Sequence, residues 1–78
     1  MVELSPKSSN AFTNRGLIYL RIGDNQKAVE DSTTAIRLDP KNDTAFGNRA
    51  VAYDLIGESK KAEADRKKSE MLTKVQKP

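Results

Sequence analysis

At an offset of 34 residues the sequence returns to itself from end to end. Leu4, Pro6, Lys7, Ala11, Phe12, Asn14, Arg15, Tyr19, Ile22, Gly23, Lys27, Ala28, Asp31 and Leu38 all recur unchanged, which makes 14 identities in 44 aligned positions. Ordinary composition would give about one match in fifteen. Conservative pairs fall in the same register: Leu17 with Val51, Asp24 with Glu58, and Gly16 with Ala50. A chain that repeats at this length is built from copies of one supersecondary unit, each burying its apolar face against the next.

Each copy reads as two helices and a turn. Phe12, Tyr19 and Ile22 mark one helical face, and Ala28, Ala35 and Leu38 another. Between them, Gly23-Asp24-Asn25 and Gly57-Glu58-Ser59 supply a glycine able to end a helix in the left-handed region and polar residues able to cap the next. Pro40 closes the first hairpin, and Asp43 is the expected cap of the third helix. The spacing predicts helices near 9–22, 25–38, 43–56 and 59–75.

Composition narrows the chemistry. With 36% hydrophobic and 32% charged residues the chain is too apolar for outright disorder, and no apolar run approaches the ~18 residues of a membrane span. It contains no cysteine and no histidine, which removes disulfides, thiol chemistry, the usual zinc ligands and the commonest general base. The remaining acids and hydroxyls offer no nucleophile with a base, and the four glycines are isolated, so no phosphate loop exists. The expectation is a non-enzyme with no cofactor and no metal. Met1 to Pro6 lacks the basic start and apolar stretch of a secretory signal, so a cytoplasmic protein is expected.

The repeat resembles the tetratricopeptide repeat. The first copy reads Phe12-x-x-Arg15-Gly16-x-x-Tyr19, then Ala28, Ala35 and Leu38-Asp39-Pro40. The second reads Phe46-x-x-Arg49-Ala50-x-x-Tyr53, then Gly57, Ala62, Ser69 and Leu72. The family's usual Trp is Phe here, its Leu is Arg in both copies, its later aromatic is Ser32 or Arg66, and its closing Pro is Lys74 in the second copy. The resemblance implies an all-α fold of two antiparallel helical hairpins stacked as a right-handed superhelical solenoid fragment. Residues 9–42 form the first repeat, residues 43–76 the second with a charged capping-type last helix, and residues 1–8 the tail of a preceding repeat or linker. Small residues at Gly16/Ala50 and Ala28/Ala62 are expected to let paired helices approach closely.

The family's function is to dock proteins, so the resemblance implies a scaffold that holds a peptide or helix of a partner in a concave groove. Carried over by register, the first repeat contributes Asn10, Thr13, Asn14, Leu17 and Arg21 to that groove. The second contributes Thr44, Asn48, Val51 and Leu55. Asn14 and Asn48 stand out, because a primary amide can both donate to and accept from a peptide backbone or carboxylate. The family's chaperone-binding subgroup grips a terminal carboxylate with a fuller set of Lys, Asn and Arg. Thr13, Leu17 and Thr44 stand at positions of that set, so a complete clamp is not encoded. An alternative remains open: a structural or engineered repeat fragment with no ligand of its own, self-associating through the uncovered first-repeat side that carries Leu17, Ile18 or Val29.

Charge adds two expectations. Arg15 and Arg49 occupy apolar positions, and each is followed sixteen residues later by an acid, Asp31 or Asp65. These predict ion pairs across each hairpin, Arg15–Asp31 and Arg49–Asp65, or a staggered Arg49–Asp31 pair between repeats. Lys60, Lys61, Arg66, Lys67, Lys68, Lys74 and Lys77 invite a nucleic-acid or membrane reading. Glu58, Glu63, Asp65 and Glu70 interleave with them at helical spacing and no aromatic lies among them, so neither partner is expected.

Overall fold

Two glycines set the hairpins. In the computed structural model, which describes residues 8–76, Gly23 and Gly57 have φ of 86° and 88°, a region open to glycine and strained for other residues. Each ends its helix in the same pair of bonds. Asp24 N–H donates to the Tyr19 carbonyl and Gly23 N–H to Leu20; Glu58 and Gly57 do the same with Tyr53 and Asp54. The Asp24 carboxylate then accepts from Lys27 N–H and starts the next helix.

The elements are α1 (Ser9–Arg21), α2 (Asn25–Leu38), α3 (Asp43–Leu55) and α4 (Ser59–Gln76), with no strand among the described residues. They match the predicted spans to within one residue. α1 and α2 form one antiparallel hairpin and α3 and α4 the other; α2 packs against α3, while among the described elements α4 packs on α3 alone. The expected tail at residues 1–8 lies outside the described residues, except for Ser8, whose hydroxyl caps α1 by accepting from Ala11 N–H.

Among the described residues the buried apolar side chains are small: Ala11, Ala28, Ala35, Ala45, Ala50, Ala52 and Ala62, with Phe46 the one large member. Small residues let helix backbones approach, as expected at Gly16/Ala50 and Ala28/Ala62, but each methyl adds only about 0.8 kcal/mol of burial. Two residues that mark the helical faces in the sequence are largely uncovered. Ile22 is the C-cap of α1 and lies 69% exposed, and Leu38, the last residue of α2, is 40% exposed, because both stand where the helices diverge into turns.

Polar bonds supply the rest of the cohesion. In each hairpin an arginine on the first helix holds an aspartate on the second through two bonds: Arg15 Nε and Nη2 to Asp31 at 2.7 and 2.9 Å, and Arg49 to Asp65 at the same distances. The guanidinium carbon lies over two rings of its own helix, Phe12 and Tyr19 at 5.7 Å, or Phe46 and Tyr53 at 5.6 Å. The staggered alternative does not form. Arg49 instead reaches the first repeat by donating from Nη1 to the Thr33 hydroxyl at 3.2 Å.

Asn42 is the second link between the repeats, and it corrects the expected cap. Its side-chain oxygen Oδ1 accepts from Ala45 N–H and caps α3, while its side-chain amide donates to the hydroxyls of Ser9 and Thr13 at 2.8 and 2.9 Å. Asp43 lies one residue inside the helix, where its carboxylate accepts from the Thr73 hydroxyl and its carbonyl from Ser69. Ser9 donates to the Ala35 carbonyl in the first hairpin. The two hairpins are therefore tied at equivalent positions with donor and acceptor exchanged.

Candidate partner-binding groove

α1 and α3 run parallel, since Asn42 at the start of α3 reaches Ser9 and Thr13 at the start of α1. Positions spaced i, i+4, i+7 and i+11 on each then form two stripes side by side. On α1 the stripe is Asn10, Asn14, Leu17 and Arg21, all exposed. On α3 it is Thr44, Asn48, Val51 and Leu55; Thr44, Val51 and Leu55 are exposed and Asn48 is half-buried. Leu17, Val51 and Leu55 keep 36%, 50% and 61% of their surface, an apolar band flanked by amides at one end and Arg21 at the other.

Thr13 stands apart from the other expected groove residues. It is buried, its hydroxyl donates to the Ser9 carbonyl and accepts from Asn42, and so it presents no free polar group to a ligand. It belongs to the link between repeats. The reason is the register of α1, which turns position 13 off the exposed stripe and toward the start of α3.

The two asparagines differ in setting. Asn14 is in solvent. The amide nitrogen of Asn48 is buried and has no hydrogen-bond partner, a costly arrangement that rotation of this half-buried side chain toward an outside acceptor would relieve. The arginines of the two bridges face the second helix of each hairpin. The bond to Asp31 raises the Arg15 pKa above its ordinary value, as the bond to Asp65 does for Arg49, against a smaller opposing effect of burial.

Sequence reasoning missed Asn42 because its counterpart in the other copy is Ser8, a different residue doing the same capping work. The helix-start rule alone, a polar cap just before a helical run, would have found it. It also missed that Leu20/Asp54 and Ser32/Arg66 change together. Arg66 and Asp54 form an ion pair on the second hairpin, at the two positions that Ser32 and Leu20 hold on the first. On the basic helix, Lys61 pairs with Glu58 at 3.7 Å and Lys67 with Glu63 at 3.1 Å, as the interleaving predicts; Lys77 lies outside the described residues. No group of acids in the described residues is arranged to hold a metal, and no helix is long and apolar enough to cross a membrane.

The tetratricopeptide repeat family matches residues 9–42. No curated protein matches the chain. Residues 43–76 repeat the matched hairpin in its glycine turn, its arginine–aspartate bridge and its stacked rings. The first hairpin is thus a tetratricopeptide repeat and the second is built on the same bonds; members of that family serve in general as scaffolds for protein–protein interaction.

Proposed function

We propose that the chain docks an extended segment or a helix of a partner protein along the paired stripes of α1 and α3. The carrying observation is the buried, unpartnered amide nitrogen of Asn48 beside an exposed apolar band. The Asn48 amide rotates outward to donate to a backbone carbonyl or carboxylate of the partner, and apolar side chains of the partner cover Leu17, Val51 and Leu55. Asn10, Asn14 and Thr44 line the polar end, and Arg21 sets a preference for an acidic residue at the other. Thr13 shapes the floor through Asn42 without touching the partner.

An amide-shift titration of the labelled chain with a peptide library tests this. Asn14 and Asn48 respond together, and Asn48→Ala weakens the selected peptide about tenfold, the loss expected when one desolvated hydrogen bond of roughly 1.4 kcal/mol goes. Shifts confined to α4 would sink the groove.

A second reading, self-association through the outer side of α1, is favoured by one difference between the repeats. The Arg15 side chain is 43% exposed where Arg49, covered by the first repeat, is 18% exposed. Ile18, 51% exposed, and Leu17 lie on the same helix, with Val29 half-buried on α2. Sedimentation at rising concentration reads it directly, and a strict monomer excludes it.

A further inference from the structure

α4 departs from its counterpart α2 in two opposite ways. On the side by which α2 meets α3, Val29, Thr33 and Ile36 become Glu63, Lys67 and Glu70, all exposed. That is the change expected of a helix facing water. On the adjoining side, turned away from α3, the change runs the other way. Arg37 of α2 and Lys41 of the turn that follows it become Met71 and Val75 of the longer α4, which lie 56% and 76% exposed, one helical turn apart. A helix selected only for solubility has no reason to exchange two cations for two apolar side chains. Around this pair stand Lys60, Lys68 and Lys74, which have no ion pair among the described residues, with Ala64 leaving a shallow gap in the row.

We propose that this outer side of α4 is a second docking surface, and that its occupant is an acidic amphipathic helix of a partner protein. Met71 and Val75 seat between two apolar side chains of that helix, and carboxylates along its flanks meet Lys60, Lys68 and Lys74. Charge selects this occupant over the others. A second copy of the same surface would bring lysine against lysine. A lipid surface is a poor fit, because helices that lie on membranes bury Trp, Phe or Leu along a broad apolar side, and this one offers two modest side chains beside Glu63 and Glu70.

The test uses a fluorescein-labelled helical peptide of about three heptads, with Leu at the apolar positions and Glu elsewhere, added to the full chain. The peptide binds, the affinity falls with added salt, and amide shifts map to residues 68–75 rather than to Asn14 and Asn48, so the result stands or falls separately from the groove. Met71→Glu with Val75→Glu weakens binding at least tenfold, as does Lys68→Glu with Lys74→Glu, while circular dichroism stays unchanged because all four side chains are exposed. No binding, or equal binding by both double variants, overturns the proposal. So does a response of Met71 and Val75 to phosphatidylserine vesicles but not to the peptide, or a dimer that Met71→Glu with Val75→Glu dissolves.

Discussion

Arg49 grips Asp65 with the same two bonds, at 2.7 and 2.9 Å, by which Arg15 grips Asp31, yet only Arg49 is sheltered. The Arg49 side chain keeps 18% of its exposure and donates a further bond to Thr33, whereas Arg15 keeps 43%. Identical geometry in two dielectric settings makes an internal comparison of what shielding adds to an ion pair.

Double-mutant cycles in urea should therefore give unequal couplings. Arg15–Asp31 falls in the range of solvent-screened pairs, about 0.2–1 kcal/mol, and Arg49–Asp65 nearer the ~1.5–3 kcal/mol of shielded charge-assisted bonds. Both arginine pKa values are raised in the fold, chiefly by the bonds to the aspartates. The arginines' part of each coupling is thus fully present below their unfolded pKa and is lost only as pH rises through the raised folded value, far into alkali. Raising the pH from about 7 to about 9 leaves it unchanged. Equal couplings at the two sites would show that shielding adds nothing here. Lysine at position 49 does not substitute, since one ammonium cannot make the forked contact.

Asn42→Asp separates capping from linking. Asp caps a helix about as well as Asn, so the cap survives. The link does not. The Ser9 and Thr13 hydroxyls already donate to the carbonyls of Ala35 and Ser9, and so meet Asn42 as acceptors. A carboxylate there faces oxygen lone pairs with no proton between them, at a cost of about 1–3 kcal/mol. Because the fold disfavours the ionised form, the introduced carboxyl has a raised folded pKa, and the deficit shrinks as pH falls and it regains a proton. A thermal melt that ranks Asn42→Asp with the wild type at pH 7 contradicts this.

These two sites also show what the sequence does and does not disclose. The arginine–aspartate bridges were legible because both partners recur with one spacing, so the pattern carried its own control. Helix ends were legible for a similar reason, with Gly23 and Gly57 in register. Asn42 was not, since Ser8 does the same job with a different residue and identity matching passes over it. Nor was the burial of Thr13, for its partner lies 29 residues away, at the cap of α3. Ile22 and Leu38 recur as faithfully as Tyr19, yet they sit at helix ends where few neighbours cover them. Recurrence reports a shared position in the unit, and burial depends on what the adjacent unit places over it.

Glycine substitutions should split by location. At Gly57, φ of 88° makes Gly57→Ala cost about 1–2 kcal/mol although open space surrounds the position. At Gly16 an added methyl would stand 3.4 Å from Asp31 Cβ and Ser32 Oγ and 3.5 Å from the Ala28 carbonyl, ordinary contact. Alanine also favours the helix by roughly 0.5–1 kcal/mol, so Gly16→Ala is neutral or stabilising in chemical denaturation. A loss at Gly16 comparable to that at Gly57 would mean the hairpin cannot yield by a few tenths of an ångström.

Ser32 is the sharpest case of an unmet polar group. It is fully buried and its hydroxyl has no partner, while the equivalent Arg66 reaches solvent and pairs with Asp54. The hydroxyl contributes no bond and keeps its desolvation penalty, so Ser32→Ala should raise stability by about 0.5–2 kcal/mol. Arg66→Ala, which breaks an exposed pair, should change it by less than ~1 kcal/mol. The two effects have opposite signs at equivalent positions of one repeated unit. A destabilising Ser32→Ala would show that the hydroxyl is satisfied in solution, and would remove this explanation of the difference between the hairpins.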